Sequence, residues 1–183
     1  SPCTATLPSP SMTPEEITPA WLSDVLGADV RRVTQDRIGD GLVGMNLRLG
    51  LEYADDPETH PRSLVVKLPS PDPTSRATGV AMRNYEREVL FYRDVASTVS
   101  IRVASCYFAD WDAATGDFAL LLEDLSPAVQ GDQVRGCTLD QARTAVLELA
   151  RLHGPRWDDQ TLHDIEWLGR RTWPEDAARL TEG

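Results

Sequence analysis

The chain has 183 residues, 41% of them hydrophobic, with Trp, Phe and Tyr all present, which suits one globular domain or one and part of another. A formal charge of −11 at pH 7 argues against nucleic acid or an anionic membrane surface as a partner. Cys3, Cys106 and Cys137 stand far apart with no CxxC pair, which argues against a disulfide framework or a zinc site and for reduced thiols in a cytoplasmic protein; no run of about 18 apolar residues exists to span a membrane.

Residues 1–17 are rich in Ser, Thr and Pro, lack a basic-then-apolar signal pattern, and read as a loosely packed leader. Thr18-Pro19 ahead of AWLSDVLG opens a short helix. Thr18 suits the N-cap, Pro19 the first helical position and Gly27 the position past the end. Trp21, Leu22 and Leu26 form its buried face. Residues 30–38 read as a strand, followed by Gly39-Asp40-Gly41-Leu42-Val43-Gly44, a GxGxxG. Residues 45–53 carry an apolar side chain at every second position, the period of a half-buried strand. After a polar turn, Ser63-Leu64-Val65-Val66-Lys67-Leu68 reads as a buried third strand that completes a meander.

Three prolines between 69 and 78 exclude helix and ladder there. Residues 82–95 form an amphipathic helix, with Met82, Tyr85, Val89 and Tyr92 on its core face and Leu90, Phe91 and Val95 widening it. Residues 103–111 and 117–125 form a hairpin that turns at Gly116, and the continuous apolar run Phe118-Ala119-Leu120-Leu121-Leu122 marks a central strand. A linker covers 126–136. Thr138-Leu139-Asp140-Gln141 is a capping box. It opens a helix with Ala145, Leu149 and Leu152 toward the core, which ends at His153 with Gly154 past its terminus. Residues 162–168 suit a further short helix. The expected class is α+β: a five-stranded antiparallel sheet with one main helix, then the first helices of a second, helical part.

Two features carry chemistry. The GxGxxG admits a dinucleotide-binding turn only if it opens a helix. The alternation after it is that of a strand, so a hairpin whose N–H groups cover phosphates fits better, with an ordinary glycine hairpin as the alternative. Lys67 is the only lysine in the chain and sits within an apolar strand. A cation there is costly unless an anion meets it, the alternative being a snorkelling surface lysine. Glu86 and Glu88 follow it by 19 and 21 residues. Glu88 is three residues from both Tyr85 and Phe91, near the apolar stripe, whereas Glu86 turns about 100° away from Tyr85 toward solvent.

The order of glycine hairpin, lysine strand, glutamate helix, two strands ending LLLEDL and a helix ending LARLH resembles the N-terminal lobe of the kinase-like small-molecule phosphotransferases. That group includes aminoglycoside phosphotransferases, choline kinases and ecdysteroid-kinase-like proteins. The segments VVKLP, YEREVLFYRDVA and FALLLEDL carry the likeness, which covers residues 30–157. The resemblance implies a nucleotide-binding lobe over 18–125, and over 126–183 a linker and the first helices of an incomplete C-terminal lobe. Gly39, Gly41 and Gly44 would lie over the phosphates of ATP. Lys67 would contact the α- and β-phosphates, with Glu88 as its partner. The main chain at Glu123 and Leu125 would hold adenine. The alternative for Glu123 and Asp124 is a solvated turn after a buried strand, with no side-chain function. The implied acceptor is a hydroxyl of a small molecule, with Mg²⁺ as the metal.

The family's chemistry also needs an HGDxxxxN loop and a later metal-binding aspartate. The only asparagines, Asn46 and Asn84, precede the LARLH helix, so no catalytic residue is assigned within these residues. His153-Gly154-Pro155 lacks the aspartate, His163-Asp164 has no following asparagine, and Asp117-Phe118-Ala119 precedes the hinge. The pair Asp158-Asp159 lacks a third ligand. The expectation is a chain that transfers no phosphate by itself, with a non-catalytic nucleotide-binding or interaction module as the alternative. The apolar residues of the LELARLH helix would then self-associate through the face a C-terminal lobe would cover.

Overall fold

The computed structural model describes residues 12–39, 43–54 and 59–169. It is α+β: a five-stranded antiparallel sheet of order β1-β2-β3-β5-β4 with four α-helices among the described residues. The strands are β1 (Val30–Ile38), β2 (Gly44–Tyr53), β3 (Ser63–Pro69), β4 (Cys106–Trp111) and β5 (Phe118–Glu123). The first three form the expected meander, and β5 enters between β3 and β4. Its central place explains its sequence. Strand β5 is covered on both faces, so Phe118 through Leu122 are all buried.

The other strands alternate, and the alternation sorts side chains to two cores. Leu47, Leu49, Leu64, Val66, Leu68 and Leu121 point to one face, beneath α1 (Pro19–Leu26). That helix starts and stops as its residues dictate. The Thr18 hydroxyl accepts from the Trp21 N–H, and Gly27 turns left-handed at φ +62°. Leu22 is fully buried and Trp21 meets Phe108 edge-on at 5.3 Å. The leader is packed from Met12 onward, not loose. Met12 and Ile17 are buried in this core, and the side-chain amide of Gln35 donates to the Pro14 carbonyl at 2.9 Å.

The opposite face carries Phe118, Leu120 and Leu122 beneath α3 (Asn84–Leu90), whose Tyr85 and Val89 are buried. The helix expected over 82–95 is present from Asn84 and starts two residues late. The proline stretch before it forms α2 (Pro73–Ala81) instead of a loop. Asp72 caps that helix by accepting from the Ser75 N–H at 2.7 Å, and Pro73 sits at N1, where its missing N–H costs no bond. Arg83 then adopts φ +56° between α2 and α3. Met82 is therefore 51% exposed, not part of the core. Past Leu90 the chain widens into one π turn over Phe91–Val95.

The capping box of Thr138 and Gln141 is formed and opens α4 (Leu139–His153). No residue of α4 is buried: of the expected core stripe, Ala145 and Leu149 are exposed, Leu149 by 48%, and Leu152 is half-buried. Gly154 keeps right-handed geometry at φ −56° and leads into a 3-10 turn; it is not a left-handed terminator. Residues 162–168 lie in two 3-10 turns, Gln160–Asp164 and Glu166–Leu168.

Candidate functional site

Residues paired across neighbouring strands share a face. Asn46 pairs with Lys67 and Lys67 with Leu120, so all three point to the α3 side. Arg48 pairs with Val65 and Val65 with Leu122, the next row on that side. Helix α3 lies over β4 and β5. The rows on β2 and β3 are left as a groove floor. Lys67 is thus on the half-buried face of β3, not inside the core: its side chain is 29% exposed.

Its ammonium donates to the Glu88 carboxylate, which reaches down from α3. Glu86 does not compete. It is turned away from Lys67, its side chain 15% exposed, and takes the Arg83 guanidinium through two bonds of 2.6 and 2.8 Å, which hold its carboxyl below the usual range against the opposing effect of partial burial. Helical geometry thus gives Lys67 the expected partner, but the expectation that Glu86 points to solvent is not met: Glu86 is the more covered of the two, 15% exposed against 35% for Glu88, because Arg83 folds over it.

The Lys67–Glu88 pair stands where two cavities meet. One, of about 140 Å³, is lined by Val43, Gly44, Asn46, Asn84 and Tyr85 together with the pair. The other, of about 420 Å³, runs from the pair past Arg48, Val65 and Tyr92 to the segment 123–126 that follows β5. Burial, with the nearby Glu88 charge adding to it, pushes the Tyr92 phenol up to about 12. It is a neutral wall at any physiological pH. No protein-family model matches this chain, and no curated protein is similar to it. The geometry of the residues therefore carries the functional reading.

Gly39 follows β1 at φ +68°, a left-handed conformation that favours glycine, and a Cβ there would lie 4.0 Å from the Asn46 amide. Gly44 begins β2, where a Cβ would stand 3.3 Å from the Leu68 carbonyl. Gly41 lies outside the described residues. Glu123 and Leu125 both border the larger cavity, with Leu125 49% exposed. Structure thus brings Gly44, Lys67 and Glu88 together at one end and Glu123 and Leu125 at the other.

The acidic side chains at the end of β5 are not a solvated turn. Glu123 accepts from the Ser105 N–H and hydroxyl at 3.0 and 3.1 Å and from Arg102 at 2.6 Å, and these bonds, that from the Ser105 N–H foremost, hold its carboxyl below the usual range. The Asp124 side chain is only 5% exposed. It accepts from the Ser63 hydroxyl at 2.8 Å, the Ser126 N–H at 3.0 Å and Arg48 Nη2 at 3.3 Å. Arg48 Nε lies 2.8 Å from its other oxygen, close enough for an ion pair but not aimed for a hydrogen bond. Burial pushes the Asp124 carboxyl up, yet these bonds together outweigh it and hold the group below the ordinary aspartate range. Asp124 thereby ties β2, β3 and the segment after β5 into one wall. It was missed in the sequence because LLLEDL looks like a strand running out into solvent. Arg48, on the same face of β2 as Asn46, was the available signal.

Among the described residues no group of three His, Cys, Asp or Glu side chains is placed to hold a metal ion, and no helix is long and apolar enough to cross a membrane.

Proposed function

We propose that this chain is the nucleotide-binding part of a kinase-like small-molecule phosphotransferase, which transfers the ATP γ-phosphoryl to a hydroxyl. The observation that carries this reading is the Lys67–Glu88 ion pair between a small polar cavity and a larger groove. A compact ammonium held in place by a carboxylate is a point charge ready for an anion, and a phosphate chain is the anion its surroundings fit. The neighbours on the small-cavity side are neutral donors, Asn46 of β2 and Asn84 at the start of α3. The groove beyond is walled by Val65, Leu122 and Leu125, flat apolar surface of the kind a nucleobase takes.

In this reading the phosphates lie over Lys67 and under the chain at Gly39, Gly41 and Gly44, and the base lies against the main chain at 123–125. Mg²⁺ arrives with the nucleotide and neutralises its charge. A five-stranded antiparallel sheet with α3 against one face supports this reading. Titrating the chain with Mg²⁺–ATP by calorimetry tests the proposal. The expected result is one site that Lys67→Met abolishes; an isotherm without binding overturns it. Incubation with ATP and candidate alcohols should show no transfer, since these residues hold no His-Gly-Asp and no asparagine after Asn84.

A second reading, an interaction module, has its own observation. Leu139, Val146, Leu147 and Leu149 of α4 are exposed by 85%, 63%, 57% and 48%. Such a face associates with another apolar surface, and a second copy of the chain supplies one.

A further inference from the structure

Behind the small cavity stands a phenol whose placement core packing alone does not require. Tyr85 is 3% exposed and stacks on Phe118 with ring centroids 4.5 Å apart. Its hydroxyl donates to the Val43 carbonyl and accepts from the Ser70 N–H at 3.4 Å. A buried hydroxyl needs partners. Here they come from two separate places, the entry to β2 and the exit from β3. The chain leaves room for this ring: a Cβ on Gly79 would sit 2.4 Å from Tyr85 Cζ and 2.6 Å from its oxygen. Tyr85 and Glu88 are one turn apart on α3 and so share a face. One short helix therefore holds Lys67 with a carboxylate and the Val43 carbonyl with a phenol.

We infer that Tyr85 is a positioning residue for the phosphate end of the site. The peptide unit is planar, so fixing the Val43 carbonyl fixes the orientation of the 43–44 peptide and the path of the chain beside Lys67. Val43, Gly44 and Lys67 line the same cavity. The inference rests on the nucleotide reading above, and it adds a direction: loss of the hydroxyl acts on the phosphates and spares the base. Tyr85 does not border the groove that runs to 123–126.

The test compares ATP and adenosine on wild type and Tyr85→Phe, which keeps the ring and its stacking and removes one O–H. Tyr85→Phe is expected to weaken ATP roughly 5–20-fold, to change adenosine affinity less than about twofold, and to speed amide hydrogen exchange at 43–46. Gly79→Ala displaces the hydroxyl from the opposite side without removing it and should give the same ATP-selective loss. Unchanged ATP affinity in both variants, or equal losses for ATP and adenosine, overturns the positioning role and leaves the nucleotide reading standing. A wild-type chain that binds no ATP overturns the nucleotide reading, and this inference falls with it.

Discussion

Lys67 and Glu88 are 29% and 35% exposed, which limits what their pairing contributes to folding. An ion pair open to water is worth about 0–1 kcal/mol. Glu88→Gln is therefore expected to shift unfolding free energy by no more than about 1 kcal/mol while lowering ATP affinity at least about tenfold, because the freed ammonium no longer holds its direction. Chemical denaturation alongside calorimetry separates the two effects, and a large stability loss with intact binding would refute the assignment. Asp124 is the opposite case, a buried acceptor whose role is the wall itself. Its carboxyl is depressed in the folded state, so its stabilisation is present above the ordinary aspartate range near 3.9 and is lost as pH falls through the lower folded value. Asp124→Asn should lower stability by about 1–3 kcal/mol at pH 7. Its melting temperature should then fall less steeply than wild type between about pH 5 and pH 2, and parallel melting curves would contradict this. The choice of Glu88 over Glu86 as the partner of Lys67 was legible, because it follows from 100° per residue, whereas the cover that Arg83 gives Glu86 was not. The burial of Asp124 was not, because its partners Ser63 and Arg48 are 61 and 76 residues away.

Helix α2 is fastened at the element scale. Its Arg76 pairs with Asp117, which is 2% exposed at the mouth of β5. Its Val80 packs under Gly116, where a Cβ would meet Val80 Cγ2 at 2.7 Å and φ is +73°. Arg76→Ala leaves a buried carboxylate without its cation. The expected cost is about 2–3 kcal/mol, below the 3–5 of a fully buried pair because Arg76 stays 37% exposed. Adding Asp117→Asn should restore part of the loss, and a double-mutant cycle with no coupling would show that the pair does not act as a unit. The helix itself could have been seen in the sequence: Asp72-Pro73 with Ser75 is a cap followed by a proline at N1. Counting three prolines as breakers hid that signal, since a proline breaks a helix only past its first turn. The left-handed Arg83 had no such signal. Arginine has no preference for positive φ, and the support the structure gives this conformation is the pair of bonds to Glu86.

For the whole molecule, the sheet and its two cores follow from alternation, but α4 shows what periodicity leaves open. An amphipathic stripe says that one face seeks apolar cover and not what supplies it. Here the helix is tied to the rest through the Ser100 N–H on the Arg151 carbonyl and the Arg102 N–H on the Glu148 carboxylate, at 3.0 and 3.1 Å. A helix so attached opens before the sheet does. Amides over 139–153 should exchange well ahead of those in β3 and β5, and simultaneous protection would contradict the uncovered state. The same exposure sets how copies of the chain behave. Apolar cover from a second molecule favours association, whereas the charge of −11 on each opposes it. Salt shortens the reach of that repulsion to about 10 Å at 0.1 M and leaves the apolar attraction in place. Sedimentation velocity should therefore show a weight-average coefficient that rises with concentration and rises further with salt. Leu147→Glu with Leu149→Glu should suppress both trends. A single monomer at every concentration and ionic strength would mean that α4 finds its cover within its own chain.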